Sequence, residues 1–297
     1  LIGGSLTLDH FALLGSIAVC AAVLLLSLIT SDYLSRDGSN SPEIYALYLT
    51  AAIGAVVMIS SNDLVVLFLG LETLSLSLYL LAASNRQETA SQEAGLKYFI
   101  LGGFASAFFL YGVALTYGVT GTTRLIDLNT ALTSYISVPR NDVILLIGIG
   151  MILVGFAFKV SLAPFQMWTP DVYQGAPTPV TAFMASVGKV AALVALMRVF
   201  VVAFPSRSDD WGVVVLVLSA ATLVVGSVVA IVQTNIKRML AYSSISHAGF
   251  ILVGLEAASH RDSVNAGDGL VAVGVYVALY AALVVGTFGV VTVVARN

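Results

Sequence analysis

Stretches of about twenty mostly apolar residues recur along this chain, at about 10–30, 43–60, 63–83, 95–119, 142–162, 178–203, 211–233, 238–257 and 269–295. That length as a helix matches the hydrocarbon thickness of a bilayer. Hydrocarbon offers the backbone no hydrogen-bond partner, so each stretch has to satisfy itself as a helix. Together these runs predict an all-α polytopic bundle of about nine crossings, one membrane domain over 1–297. Connectors such as SDYLSRDGSNSPE, ASNRQETASQE and EAASHRDSVNAGDG hold the charges and turn formers, and none is long enough for a soluble domain.

Composition agrees. Only 10% of residues are charged and 59% are hydrophobic, where a soluble domain carries about 25% charged residues. The net charge of −3 gives no basic field for nucleic acid, so the expected surroundings are lipid. The single cysteine, Cys20, lies in an apolar run, which excludes a disulfide framework and a thiolate cluster. The first residue is Leu1 and the chain stops at Asn297 behind an apolar run, so it reads as part of a longer protein. Lys and Arg in alternate connectors put Arg36, Arg86, Lys97, Lys237, Arg238 and Arg296 on one side, and Arg124, Arg140, Arg198, Arg207 and Arg261 on the other. The bias leans toward the first side being cytoplasmic.

One region departs from plain spans. The apolar run ending near Lys159 meets Pro164, then the insert PFQMWTPDVYQGAPTP, then a second run with Lys189 about eleven residues in. Four of the seven prolines, Pro164, Pro170, Pro177 and Pro179, fall in this insert. Pro164 lacks an N–H and clashes with the carbonyl four residues earlier, so Pro164 and Pro170 predict a structural break, with 164–175 adding a half-helix to the fifth span. Broken backbone at membrane depth is tolerated only inside protein or beside a watered cavity. A lysine at that depth usually marks an ion path. Desolvation disfavours the Lys159 ammonium, while the carbonyl end of a half-helix favours it. The balance suits an amine that loses and regains a proton. The plainer reading is a lysine reaching for the headgroups, which is harder for Lys189 than for Lys159.

Glu72 sits mid-span in DLVVLFLGLETLSLSLYLLAA. It reads as a neutral acid bonded to a neighbouring helix or as a carboxylate paired with one of the two lysines; the presence of those lysines favours the second. Glu93 and Lys97 are spaced to pair on one helix face. Gly102, Gly103, Ala105, Ser106 and Ala107 suit close helix packing. His247, in NIKRMLAYSSISHAGF, is a relay candidate because imidazole titrates near neutrality, or else a packing residue. Lys237 and Arg238 read as headgroup residues, and Asp171 and Tyr173 as groups tying the break together. The chain has no dinucleotide fingerprint, phosphate loop, metal-ligand spacing or nucleophile elbow, so no cofactor or metal is expected on it.

FKVSLAPFQMWTPDVYQGAPTPVTAFMASVGKVAAL, with EAGLKYFILGGFASAFFLYG and NIKRMLAYSSISHAG around it, resembles the antiporter-like membrane subunits of respiratory complex I, over nearly the whole chain. The resemblance implies inverted helical repeats, the first at 43–203 and the second starting at 211–297 and truncated. It implies a proton relay through Glu72, Lys159 and Lys189, driven by quinone reduction elsewhere in an NADH-quinone oxidoreductase. Partners would be the other membrane-arm subunits, NADH and quinone would be used by the complex, and the location would be a bacterial inner membrane. Two alternatives remain: a subunit of a Na⁺/H⁺ antiporter or membrane hydrogenase complex, and a structural subunit or solute carrier.

Overall fold

The computed structural model describes residues 2–37, 41–134, 139–260 and 266–294. Arg261 and Arg296, used above for orientation, lie outside them. Twelve α-helices follow in order: α1 (His10–Asp37), α2 (Glu43–Ser60), α3 (Leu64–Ala82), α4 (Thr89–Thr120), α5 (Leu125–Ser134), α6 (Pro139–Val160), α7 (Trp168–Gly175), α8 (Thr178–Phe183), α9 (Lys189–Arg198), α10 (Ser208–Ile231), α11 (Ile236–Ala257) and α12 (Ala266–Val294). Nine helical stretches among the described residues are long and apolar enough to cross a membrane. One of them, Asp142–Gly175, joins α6 to the half-helix α7, as the insert predicts. The short α5, inside a connector, is the element the apolar pattern alone does not announce.

Polar side chains set the helix starts. Asp63 accepts from the Val65 and Val66 amides at the head of α3, and Asn235 from those of Lys237 and Arg238 at the head of α11, donors a helix cannot satisfy internally. Helices pack α2 on α3, α4 on α6 and α10 on α11. Small residues bring the backbones together: a Cβ on Gly54 would stand 2.8 Å from the Gly70 carbonyl oxygen. In α4 this holds only on one face. Gly102 meets Tyr79 and Ala105 is buried, whereas Gly103 and Ala107 face away from the other described helices.

The stretch Thr178–Ala203 is the most enclosed of the nine, with α1, α2, α6 and α12 packed on α9. It is not a uniform helix. Wider π-turns occupy Met184–Gly188, just before Lys189, and Val199–Ala203, just after Arg198. Such turns occur often at functional sites. Arg198 is not a connector residue. It is buried on α9, donating to Thr7 Oγ1 (2.7 Å) and to Asp9 Oδ1 (2.5 Å) on the segment ahead of α1. Burial pushes the Asp9 carboxyl up, but Arg198 and the Ala12 amide outweigh it and hold the group below its ordinary value.

Candidate relay site

Backbone bonding is interrupted where Pro164 predicts. α6 ends at Val160 and Ser161 turns left-handed (φ 66°), a conformation that a β-carbon disfavours. The freed groups find new partners. The Leu162 amide bonds the Ala157 carbonyl (2.8 Å) and the Ala163 amide bonds Thr222 Oγ1 of α10 (3.0 Å). Trp168 Nε1 donates to the Phe158 carbonyl (3.0 Å) and Thr169 Oγ1 to Ser161 Oγ (2.6 Å). Pro170 belongs to the restart and not to the break: it stands in the first turn of α7, where a missing N–H leaves no helix bond unmade.

The half-helix α7 is tied at both ends by charge. Asp171 accepts from Arg238 (2.5 Å) and Lys97 (3.1 Å), and Lys97 also pairs with Glu93 (2.7 Å). Lys237 Nζ donates to the Ala176 carbonyl (2.8 Å), at the C-terminal end of α7, where a cation is favoured. Lys237 and Arg238 are therefore anchors of the break and not free headgroup residues. Sequence spacing foresees the Glu93–Lys97 pair but not these links between distant helices.

Both lysines next to the break are buried, Lys159 at 5% and Lys189 at 1% exposure. Lys159 Nζ donates to Ser75 Oγ of α3 (2.8 Å) and Tyr98 Oη of α4 (3.2 Å), and stands 5.2 Å from the centre of the Tyr98 ring. Lys189 Nζ donates to Ser244 Oγ of α11 (2.7 Å) and stands 5.9 Å from the Tyr173 ring centre. A desolvated ammonium gains from both hydroxyl oxygens and ring faces.

Glu72 is half-buried, and its Oε1 accepts a short hydrogen bond from Ser106 Oγ of α4. It makes no direct ion pair with Lys159. Lys159 and the Ser106 that bonds Glu72 line one cavity of about 10 Å³, whose other polar lining is Ser75 and Tyr79. That is close to the smallest space that holds one water. A second cavity of about 20 Å³, lined in part by Ser243, Ser244, His247, Tyr280 and Thr287, opens beside the Lys189–Ser244 bond. His247 Nδ1 is 2.7 Å from Tyr276 Oη of α12. Glu72 and Lys159 thus border one small polar pocket, and Lys189 and His247 a second, each lined by hydroxyls within an apolar bundle. Ser75, Tyr98, Ser106, Ser244 and Tyr276 are their hydrogen-bond partners. Sequence reading takes Ser106 for a packing residue and Ser244 for a water-holding neighbour of His247, and passes over Ser75, Tyr98 and Tyr276, because serine and tyrosine are common in membrane helices and only the fold shows which ones face the amines.

Residues 61–297 match the transmembrane family described as NADH:quinone oxidoreductase/Mrp antiporter. The chain belongs to that family. Among curated members, the NADH-quinone oxidoreductase subunit N of Trichlorobacter lovleyi is 44% identical over 99% of this chain and 58% of its own length. Subunit N 1 of Herpetosiphon aurantiacus is 44% identical over 96% of this chain and 57% of its own. The chain therefore spans somewhat over half the length of the curated relatives it matches. A chain of respiratory complex I from Thermus thermophilus superposes with a TM-score of 0.76 at 36% identity, covering 96% of this chain and 58% of that one. A chain of an archaeal membrane-bound sulfane sulfur reductase gives 0.81 at 28% identity, covering 95% and 55%. A chain of the Mrp complex from a Dietzia species gives 0.77 at 24% identity, covering 93% and 49%, a likeness of fold alone.

Proposed function

We propose that this member of the family is a proton-translocating membrane subunit of an NADH-quinone oxidoreductase, of the N type, in a bacterial inner membrane. The observation that carries the reading is the pair of buried amines, Lys159 and Lys189, on either side of a broken helix. No packing need explains a buried ammonium, and in membranes such groups mark ion paths. Glu72, Lys159, Lys189 and His247 are the relay. When quinone reduction elsewhere in the complex moves the Glu72 carboxylate relative to Lys159, the stabilisation of the Lys159 ammonium changes and its proton passes toward Lys189, then toward His247. The one-water space between Ser106 and Lys159 lets the acid act without contact. Residues 43–203 form a first repeat and those from 211 begin a second. NADH and quinone are used by the complex, with no cofactor on this chain, and the partners are other membrane-arm subunits and the bilayer.

A Na⁺/H⁺ antiporter or hydrogenase-type subunit shares this architecture. Identity of 44% to curated N-type subunits supports the first reading. The test replaces Lys189 in the subunit assembled in its complex, and measures NADH-driven acidification of reconstituted vesicles together with complex content. Lys189→Ala is expected to lower proton yield about tenfold or more, equivalent to ~1.4 kcal/mol or above, with assembly retained. Lys189→Arg keeps the charge but cannot release a proton at accessible pH, so it is expected to fail as well. An arginine variant that pumps like wild type in full assemblies would make Lys189 an electrostatic fixture. A yield that follows Na⁺ and not protons would favour the antiporter reading.

A further inference from the structure

The passage between the two lysine sites has no group assigned to it so far. Hydrogen bonds from Lys159 end at Ser75 and Tyr98, and those from Lys189 end at Ser244, whose own proton goes to the Ala241 carbonyl (2.9 Å). What lies between is aromatic. Tyr98 stacks on Trp168 (4.3 Å, 6°), Trp168 meets Tyr173 edge-on (6.3 Å, 76°), and the Tyr173 ring is the one beneath Lys189. Trp168 cannot pass a proton, because its single N–H is committed to the Phe158 carbonyl.

Tyr173 is different. Its side chain is 0% exposed and its hydroxyl has no hydrogen-bond partner, whereas a buried phenol ordinarily finds one. Ser244, which accepts from Lys189, makes no hydrogen bond to that hydroxyl. Tyr173 also rides on α7, which is held at Asp171 by Lys97 and Arg238 and at its C-terminal end by Lys237, with the Tyr173 carbonyl taking the Thr181 hydroxyl (3.0 Å).

We infer that the Tyr98 and Tyr173 hydroxyls form the proton passage between Lys159 and Lys189, with Tyr173 as its open link. The inference rests on the relay reading and adds two residues to it. A proton leaving the Lys159 ammonium joins the Tyr98 oxygen as the original Tyr98 proton leaves to an intervening water. That water gives a proton to the Tyr173 oxygen; the original Tyr173 proton joins the Ser244 oxygen as the original Ser244 proton turns from the Ala241 carbonyl to the neutral Lys189 amine. Each O–H broken is replaced by one formed, and both phenols are neutral before and after. Only water is needed besides the protein. Because the hydroxyl stands unbonded, a small displacement of α7 is enough to make or break the link while both lysines stay in place.

The test uses the subunit in its assembled complex in vesicles, with protons counted per NADH oxidised and normalised to complex content. Tyr173→Phe keeps the ring contacts with Trp168, Phe288 and Lys189 and removes one oxygen. A purely structural tyrosine would leave proton yield unchanged. The expected result is a fall of about fivefold or more, the scale of one lost hydrogen bond, with uncoupled NADH oxidation retained. Tyr98→Phe is expected to fall likewise, and the double variant no further than either single one, because groups acting in series are not additive. Wild-type yield in Tyr173→Phe, with Lys189→Ala defective, overturns the phenol passage and leaves the relay standing. Wild-type yield in both overturns the relay reading as well. Additive losses in the double variant overturn the shared passage.

Discussion

The two buried amines are dressed alike at short range and differently beyond it. Each gives its proton to a serine hydroxyl, at 2.8 Å for Lys159 and 2.7 Å for Lys189, and each lies over a tyrosine ring. Lys159, however, has an acid at one remove, since Ser106 of its cavity bonds Glu72. Around Lys189 the polar groups are Ser244, the neutral phenols of Tyr173 and Tyr280, and His247 across the second cavity, with no carboxylate among them. The first site has an acid joined to its cavity, and the second has none among the described residues lining it. In the relay reading, that difference decides which amine keeps a proton. A relay needs such an inequality, provided that it can be inverted by moving the acid.

The comparison can be broken most forcefully by giving the second site what only the first has. Ser244→Asp would put a carboxylate beside Lys189. A charged hydrogen bond is worth about 1.5–3 kcal/mol, so proton yield in reconstituted vesicles is expected to fall between about tenfold and a hundredfold as the proton becomes trapped. Unchanged yield would mean that the missing acid does not matter. Next in size is Glu72→Gln, which still accepts from Ser106 but carries no charge. Its yield is expected to fall about tenfold with complex content held, equivalent to ~1.4 kcal/mol. Ser106→Ala keeps the acid and removes its connection, and is expected to lower yield about threefold to fivefold, near 1 kcal/mol. Larger loss from Ser106→Ala than from Glu72→Gln would show that the hydroxyl, and not the charge, distinguishes the Lys159 site.

The smallest effect comes from outside both sites. Asp9→Asn, at the far end of α9, is expected to leave proton yield unchanged and to lower the melting temperature of the purified complex slightly. Arg198 and the Ala12 amide hold Asp9 below its ordinary value of 3.8. Its stabilising contribution is thus fully present above about that pH and is lost as the pH falls through the lower folded value. The difference between wild type and Asp9→Asn should accordingly disappear on strong acidification and stay constant across the neutral range. A pumping defect in Asp9→Asn would tie the end of α9 to the relay.

Much of this molecule can be read from residue order. Span length, the lone Glu72, the amines Lys159 and Lys189, and the break at Pro164 each follow from what hydrocarbon forbids. What residue order conceals is who faces whom. Lys159 meets Ser75 across 84 residues and Tyr98 across 61, and nothing in α3 or α4 marks Ser75 over Ser77, or Tyr98 over Phe99. Arg198 reads as a connector residue because charge normally ends a span, yet here the helix carries it inward to Thr7 and Asp9. Lys237 and Arg238 read as headgroup residues for the same reason, while their true partners lie on α7. Charge marks depth poorly wherever a partner from a distant segment can accompany it.

The repairs at the break carry a lesson for protein engineers. The backbone groups freed between Val160 and Trp168 are taken up partly from outside that stretch, since the Ala163 amide depends on Thr222, one helix away in α10. The kink is therefore not a portable part. A designer who transplanted residues 158–175 into another bundle would carry over the bend but leave Thr222 behind, and a bare N–H would face hydrocarbon. Donor and acceptor helices have to be moved together, which makes the smallest transferable unit of this device a group of helices and not a sequence motif.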